Sequence, residues 1–513
     1  MSAHKNKRAL KLVVLTLAIL MLIAIAAQLF FTSKVKSILE EELPPSIHVT
    51  YETLSTNVLF GKISLGQVNA KHRKQNLDFK AESFTISGLR LFPLLLHADI
   101  TITDLTVKSP TFSYHPTQKD SSSSTTKEKP RNTYTIKNFS LENGNFVIGN
   151  TKLDSTATVK GIHLYMSDIQ FDSESAKEMI PFTYDKFQLS TEDGYFQINP
   201  LEYAAFEQLH LSTEKGGLKK FVWRTRYSPS ELSKKLSKEH DHYDLKIDHI
   251  GLKNWGFGSK SGKPSFHLSE LLLQSPKFQV YRDKLLPDDT THKKLYNATL
   301  RDMQLDLQVD TVQISNGLIT YQERIEADVE PENVSFSDIE ATVGNLHSHG
   351  HGEVMVAIKA RLMDNAPFAL DWSFDPQNKA NAFLVKGSLS NFQTESINPF
   401  LKSNLQAEVK GNVQQMYFTI NGNELESHGD IKMKYDNFEF TILKKNRLGV
   451  NKLLTAVVNL FAKNGHKTDK DGFRHGDFTV KREQDKSFFN YLWLNLKAGL
   501  LDTVTGNGKK EKN

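Results

Sequence analysis

Histidines at alternate positions are the residues of this sequence that come closest to a metal-binding pattern. His347, His349 and His351 lie in the stretch HSHGHG, and an extended chain would place all three on one face. Three imidazoles on one face could bind a divalent metal ion. The two glycines within the stretch favour a flexible loop instead, and this is the interpretation that we expect to hold.

Other signatures of catalysis are weak. His240, His242 and Asp244 also alternate, but in a charged segment where we expect solvated side chains. The stretch 256–262, GFGSKSG, lacks the spacing and the strand-to-helix setting of a phosphate-binding loop. The sequence has no Gly-x-Ser-x-Gly elbow and no cysteine, which excludes thiolate zinc sites, iron–sulfur clusters and cysteine nucleophiles. We therefore expect no enzymatic activity, no bound metal and no cofactor.

Composition limits the remaining classes of protein. The 513 residues exceed what one hydrophobic core usually organises, which indicates several domains or a repeated architecture. Lys and Arg number 64 against 59 Asp and Glu, and this balance does not favour a nucleic-acid-binding protein. Hydrophobic residues make up 39% of the chain, which excludes a wholly disordered protein.

The N-terminal segment predicts a membrane anchor. Residues 12–31 read LVVLTLAILMLIAIAAQLFF, 20 positions without a charge, and a helix of that length spans a bilayer. Basic residues in the preceding tail, residues 1–11, predict that this tail stays in the cytoplasm. A cleaved signal peptide is the alternative, with a small-residue site at Ala24, Ala26 and Ala27. The apolar run continues beyond those alanines, which favours an uncleaved, single-pass anchor.

Beyond residue 45 the dominant hydrophobic period is two, which predicts strands. Few helices are expected: a short one opening at Ser228-Pro229, and two C-terminal ones over 449–463 and 486–504 whose apolar residues follow a helical period. The serine-rich segment 118–132 is typical of a polar linker or long loop. We expect the C-terminal helices to act as a cap or membrane-proximal element whose removal leaves the β-structure folded, with ordinary packed lids as the alternative.

A weak repeat is visible among the predicted strands. Four copies share one spacing of apolar residues around a central dipeptide, at Ser109-Pro110, Asn143-Gly144, Ser275-Pro276 and Asn316-Gly317. Asn-Gly is a strong signal for a two-residue hairpin because both turn positions favour positive φ. The spacing therefore predicts four hairpins, in which Leu141 would face Phe146 on one apolar side.

Two interpretations of this apolar face remain open. It can be the buried interior of a β-sandwich or prism. It can also line a long antiparallel sheet, bent into a trough, that solvates hydrocarbon chains. The candidate residues for such a lipid-binding groove are Val107, Phe112, Leu141, Phe146, Leu273, Phe278, Ile314 and Ile319.

Several of these segments resemble the AsmA-like family of envelope proteins. The resemblance lies in the four repeat copies and in the segments 53–65 (TLSTNVLFGKISL), 387–401 (GSL…INPFL) and 429–436 (GDIKMKYD). The segment 486–493, KSFFNYLW, is similar to a tail of Bacteroidota members of the family. The resemblance covers nearly the whole chain, although it consists of β-repeat patterns with no catalytic signature.

The resemblance implies a fold and a function. It implies a mainly β protein with an inner-membrane helix, a groove-like or taco-like periplasmic sheet over residues 45–443, and a C-terminal helical cap with a basic tail over 444–513. The implied role is outer-membrane biogenesis by phospholipid transport, with membrane phospholipids, the inner membrane and other envelope proteins as partners and no nucleic acid. A membrane-tethered scaffold with a closed β core is the alternative.

Overall fold

The computed structural model describes residues 2–72, 76–90, 99–115, 133–149, 155–260, 262–443 and 468–505. It confirms a mainly β protein with one long N-terminal helix and short helices elsewhere. The helical elements are α1 (Ser2–Ser37), a π-helical turn (Ile38–Glu42), a 3₁₀ turn (Ser175–Lys177), α2 (Pro229–Lys235), α3 (Tyr296–Arg301), a second 3₁₀ turn (Thr394–Ile397), α4 (Asn398–Leu405) and α5 (Phe488–Thr505). The predicted linker 118–132 and the predicted helix 449–463 lie outside the described residues.

The chain divides into two compact units. Unit 1 comprises Met1–Gln197 and Glu207–Thr213, and unit 2 comprises Ile198–Phe206 and Glu214–Asn513. The strands of unit 1 are β1 (Ile47–Thr50), β2 (Thr53–Asn57), β3 (Lys62–His72), β4 (Leu77–Ser87), β5 (Ile100–Lys108), β6 (Thr111–Tyr114), β7 (Tyr134–Gly149), β8 (Ser155–Phe171), β9 (Lys186–Thr191), β10 (Asp193–Gln197) and β12 (Gln208–Ser212).

The strands of unit 2 follow the alternation of polar and apolar residues that the sequence predicts. They are β11 (Glu202–Phe206), β13 (Lys215–Thr225), β14 (His242–Lys253), β15 (Gly256–Lys260), β16 (Lys263–Gln274), β17 (Lys277–Asp283), β18 (Asp306–Arg324), β19 (Asn333–His347), β20 (Val354–Leu362), β21 (Ala366–Phe374), β22 (Phe383–Gln393), β23 (Ala407–Gly422), β24 (Glu426–Ile442) and β25 (Arg474–Lys481). The last strand lies inside the range 444–513, for which the sequence predicts a helical cap. The sheet of unit 2 therefore continues beyond residue 443.

The sequence predicts a long antiparallel sheet, and the structure adds parallel pairing at the repeat copies. In unit 1, β5 and β6 both pair with β7 in parallel, and both pair with β4 antiparallel. In unit 2, β16 and β17 pair with β18 in parallel and with β14 antiparallel. Neighbouring copies of the repeat thus run side by side in the same direction, and each sheet is mixed.

The predicted hairpins are also absent at the two Asn-Gly dipeptides. β7 continues through Asn143-Gly144, and β18 continues through Asn316-Gly317, each with a register shift against the next strand. A two-residue hairpin of the expected type needs positive φ at both central residues, but of these four only Asn143 and Asn316 have it, at 53° each. A single residue of this kind inserts a β-bulge into a continuing strand.

Tight packing accounts for the glycine that follows each bulge. A Cβ atom on Gly144 would lie 2.6 Å from Leu141 Cδ2 and 3.3 Å from Pro110 Cγ. A Cβ atom on Gly317 would lie 3.1 Å from Ile339 Cβ and 3.4 Å from Pro276 Cγ. The Asn-Gly copy of the repeat therefore packs its glycine against the proline of the neighbouring Ser-Pro copy.

Residues with positive φ lie at equivalent places in the two units. Positive φ angles occur at Gln67, Ser109, Asn143 and Gly161 in unit 1, and at Lys220, Ser275, Asn316 and Asp338 in unit 2. A bulge bends its strand and increases the local twist. The bulges at Asn143 and Asn316 therefore lie on equivalent strands, and the two units contain the same five-stranded motif, β3-β4-β5/β6-β7-β8 and β13-β14-β16/β17-β18-β19.

Helix α5 is a core element of unit 2. Its Tyr491 is 1% exposed and packs in one cluster with Phe383, Ile420 and Ile431 of the strands. The side chain of Asn495 is fully buried and accepts a hydrogen bond of 2.7 Å from Ser427 Oγ. The expectation of a removable cap is not supported for this helix, because its apolar stripe fills the interior of the β22–β25 region.

Candidate functional site

The second half of α1 has the length and composition of a membrane-spanning helix. Among the described residues, the stretch Leu20–Glu41 is long enough and apolar enough to cross a membrane. Its apolar side chains are mostly exposed, as for Leu22 at 65% and Leu29 at 66%. A core helix of a soluble protein would bury such side chains, so their exposure favours a lipid environment.

Polar contacts attach the end of α1 to the sheet of unit 1. Gln28 Nε2 donates to the carbonyl oxygen of Thr56 at 2.8 Å, and the amide N–H of Val58 donates to Gln28 Oε1 at 2.8 Å. Phe31 and Val35 of the same helix are buried. The helix and the β2–β3 hairpin therefore form one connected structure at this point.

Unit 1 presents a continuous apolar face. In the register of the strands, an apolar residue on one strand lies opposite an apolar residue on the next strand. One such row is Leu54, Leu65, Phe84, Val107, Leu141, Leu164, Leu189 and Leu211. A second row is Ile63, Ile86, Leu105, Phe139, Met166 and Phe187, and a third is Val49, Ala70, Phe79, Phe112, Phe146 and Val159. Members of all three rows belong to one hydrophobic cluster, so the rows share a face.

The opposite face of the same strands is polar. The residues that alternate with the first row are Ser55, Ser64, Thr85, Thr106, Ser140, Tyr165, Gln188 and Ser212. Ser64 Oγ and Thr85 Oγ1 lie 2.9 Å apart, within hydrogen-bonding distance across the strands. This contrast shows that only one side of the sheet in unit 1 is suited to hydrocarbon.

The four groove candidates of unit 1 are brought together in two pairs. Val107 lies opposite Leu141, and Phe112 lies opposite Phe146, on the parallel strands β5/β6 and β7. Val107 and Leu141 are buried, with exposed fractions of 5% and 7%, whereas the two phenylalanines are half-buried. The bulge between the pairs adds one residue, which returns positions five apart in sequence to the same face.

The four candidates of unit 2 form the equivalent pairs. Leu273 lies opposite Ile314, and Phe278 lies opposite Ile319. The first pair belongs to a row that continues through Leu218, Ile250, Leu273, Ile314, Ala341, Ile358, Leu370, Gly387, Phe418 and Ile431. Ile319 is 42% exposed, the most open of the eight candidates.

Burial along the apolar face of unit 2 changes from one end to the other. At the C-terminal end, Val385, Ile420 and Ile431 are fully buried beneath α5. At the β14–β19 end, the cluster around Leu268 and Val309 consists of residues from the sheet itself and its loops. The C-terminal end is thus a closed core. At the other end Leu268 and Val309 are also buried, at 3% exposure each, whereas Ile319 is 42% exposed.

An ion pair lies near the end of β17, four residues beyond Phe278. Arg282 donates to both carboxylate oxygens of Asp241, at 2.6 and 2.7 Å, and Tyr243 donates to Asp241 at 3.2 Å. Tyr243 also stacks on Phe278 with ring centroids 5.8 Å apart. Burial raises the pKa of Tyr243 and of Tyr321 above the ordinary value of a phenol.

The histidine patterns do not gather into a metal site. His347 is 2% exposed and its Nδ1 lies 2.8 Å from the carbonyl oxygen of Asn345, whereas His351 is exposed. His240 bonds Glu202, and His242 bonds the carbonyl oxygen of Tyr227. Within the described residues there is no group of three or more side chains that could hold a metal ion.

A cavity of about 760 Å³ lies on the polar side of unit 2. Its lining includes Lys277, Gln279, Thr320 and Gln322, which alternate along the strands with the apolar candidates. Most of the residues that line this cavity are polar, so it suits an acyl chain less well than the apolar face does. The apolar face remains the better candidate site.

Sequence reasoning missed two features of unit 1. It did not identify Gln28 as the link between α1 and the sheet, and it did not single out the turn that carries Leu59 and Phe60, which are 79% and 70% exposed. A glutamine within an uncharged membrane-spanning run was the available signal for the first.

Comparison with family models finds no match to this chain, and comparison with curated proteins finds no sequence with significant similarity.

Proposed function

We propose that the protein is anchored in the inner membrane by α1, has its β-rich part in the periplasm, and carries phospholipid acyl chains along the apolar faces of its sheets. The observation that carries this proposal is the unbroken apolar row from Leu54 to Leu211 in unit 1. A hydrocarbon chain moving from strand to strand along this row would stay in contact with apolar side chains throughout. The polar reverse face would remain in water.

The link between α1 and the sheet supports the same proposal. Gln28 and Thr56 join the helix to β2, the strand on which the row of Leu54 begins. An apolar path that starts beside a membrane helix is suited to receive lipid from that membrane. The AsmA-like resemblance of the repeat copies agrees with this role, and other envelope proteins are then the expected partners.

A closed scaffold that assists envelope assembly is the second candidate function. It is favoured by the C-terminal end of unit 2, where α5 fills the apolar face and leaves Val385 and Ile420 fully buried. If the other apolar faces are dry and packed in the same way, the protein has no room for lipid. Its role would then be to tether or recruit other proteins.

Lipid content separates these two functions. The full chain would be purified from membranes in detergent, exchanged extensively into lipid-free detergent, and analysed for bound phospholipid by mass spectrometry. A defined molar amount of phospholipid, lost on denaturation, is the expected result for a carrier. Absence of phospholipid from a folded preparation would favour the scaffold.

A further inference from the structure

The turn between β2 and β3 carries two of the most exposed large apolar side chains among the residues that the structure describes. It comprises Val58, Leu59, Phe60 and Gly61, and the side chains of Leu59 and Phe60 are 79% and 70% exposed. Two large apolar side chains this exposed at one tip are unfavourable in water. Their exposure therefore calls for an apolar environment around the tip.

The turn is held rigidly in this presentation. Asn57 Oδ1 accepts hydrogen bonds from the backbone N–H groups of Leu59 and Phe60, at 3.1 and 3.3 Å. The N–H of Gly88 donates to the carbonyl oxygen of Phe60 at 3.0 Å. Gly61 has a φ of 52°, and a Cβ atom there would lie 2.2 Å from the carbonyl oxygen of Leu89. The backbone thus fixes the two apolar side chains outward.

Contacts with α1 set the position of the turn along the helix. The N–H of Val58 bonds Gln28 Oε1 at 2.8 Å, and Thr32 Oγ1 lies 2.6 Å from Thr56 Oγ1. The first basic residue after the uncharged run is Lys34, six residues beyond Gln28. A helix rises about 1.5 Å per residue, so Gln28, and the turn bonded to it, lie about 9 Å before Lys34 along the helix axis. Interfacial segments bury their apolar side to a depth of about 5–10 Å, which matches this level.

The exposed apolar surface continues from the helix to the turn level. Leu29 and Phe30 are 66% and 64% exposed, while Phe31 and Val35 are buried against protein. The helix therefore remains suited to lipid contact at the height where it meets the turn. We propose that Leu59 and Phe60 insert into the leaflet from which α1 emerges, as a second, shallow membrane contact through which phospholipid reaches the sheet.

This inference rests on the membrane anchoring included in the proposed function, and it adds a point of lipid entry. Thr56 of β2 lies opposite Ile63, the first residue of the row that continues through Ile86 and Leu105. An acyl chain that leaves the bilayer beside the inserted turn would meet this row directly. The bilayer is thus both the partner of the turn and the source of the lipid.

The absence of cysteine from the sequence allows a clean test with the full chain. Phe60→Cys would be labelled with an environment-sensitive fluorophore and reconstituted into vesicles of phosphatidylethanolamine and phosphatidylglycerol. Leu425→Cys is the matched control, because Leu425 is 66% exposed in another strand-connecting turn. We expect the label at 60 to show blue-shifted emission, protection from iodide and quenching by spin-labelled acyl chains, and the label at 425 to be quenched by iodide. Equal iodide quenching at both positions, in a chain that resists alkaline extraction from the vesicles, would overturn the inference.

A second variant tests the route of lipid entry separately from lipid carriage. Leu59→Asp combined with Phe60→Asp should leave the chain folded and membrane-anchored, with a severalfold loss of co-purified phospholipid. Leu425→Asp should retain the wild-type lipid content. Unchanged lipid content in the double variant would overturn the entry role. If the label on Phe60→Cys is shielded but the wild-type protein contains no phospholipid, the result would support insertion of the turn and contradict the proposed carrier function.

Discussion

Phe112 and Phe146 occupy the same position in two copies of the sequence repeat, and they lie directly opposite each other on parallel neighbouring strands. Phe278 and Ile319 have the same relationship in unit 2. Each repeat copy is therefore one bulged or interrupted strand, and adjacent copies lie side by side. This arrangement extends an apolar row across strands, whereas a hairpin would have limited it to a single repeat.

Charge placed on the apolar faces should separate a lipid path from a closed core. Phe146→Asp and Phe278→Asp replace half-buried side chains and should each cost about 1–3 kcal/mol of folding free energy, and Ile319→Asp should cost less because its side chain is 42% exposed. All three variants should fold and contain less phospholipid, measured by circular dichroism and mass spectrometry.

Two controls define the limits of that experiment. Thr320→Asp places the same charge on the polar side of β18 and should leave both folding and lipid content unchanged. Val385→Asp introduces a charge at a fully buried site and should abolish folding. If Phe146→Asp, Phe278→Asp and Ile319→Asp all behave as Val385→Asp does, the closed scaffold is favoured.

The glycine after the bulge in β18 should resist the smallest possible enlargement. Gly317→Ala places a methyl group 3.1 Å from Ile339 Cβ, an atom that cannot rotate away, so we expect a loss of about 1–3 kcal/mol. Gly344→Ala is the matched control in β19, because the nearest atom to its new methyl group lies 3.9 Å away. Urea unfolding followed by tryptophan fluorescence reports on unit 2, which contains all four tryptophans. Equal midpoints for the two variants would contradict the close packing of Gly317 against Ile339.

Helix α5 should be required for the folding of the C-terminal region. Tyr491→Ala empties a site in contact with Phe383 and should cost about 3–5 kcal/mol. Trp493→Ala, at a side chain that is 41% exposed, should cost about 1 kcal/mol or less. Circular dichroism melts of the two variants measure the difference. A deletion of residues 486–513 that keeps the native melting transition would show that α5 is dispensable after all.

The topology of the anchor can be tested with a reporter. The basic residues before Leu12 predict an N-in, C-out orientation, and the exposed apolar side chains of Leu20–Glu41 suit an intact anchor. A reporter that is active only outside the cytoplasm, fused after Asn513, should therefore be active and membrane-bound. Activity in a soluble fraction would indicate cleavage of the segment, and an inactive reporter would indicate the opposite orientation.

Local periodicity made several parts of this fold predictable. The uncharged run before Lys34, the alternating strands and the Ser-Pro start of α2 each depend on residues close together in sequence. The alignment of the repeat copies was also correct, since aligned residues such as Val107 and Leu141 turn out to be strand partners. The same pattern placed all eight candidate residues on paired strands.

Only the tertiary structure decided how the repeat copies are connected and which apolar faces are covered. The dipeptide Asn143-Gly144 suits a hairpin or a bulge as a sequence, and in the structure only Asn143 has positive φ, while Gly144 packs against Pro110 between β5 and β6. The apolar stripe of α5 likewise suits a membrane surface or a protein core. Its burial depends on the unfilled face of β22–β25, because an amphipathic helix is stabilised by whichever apolar surface is present to pack against it.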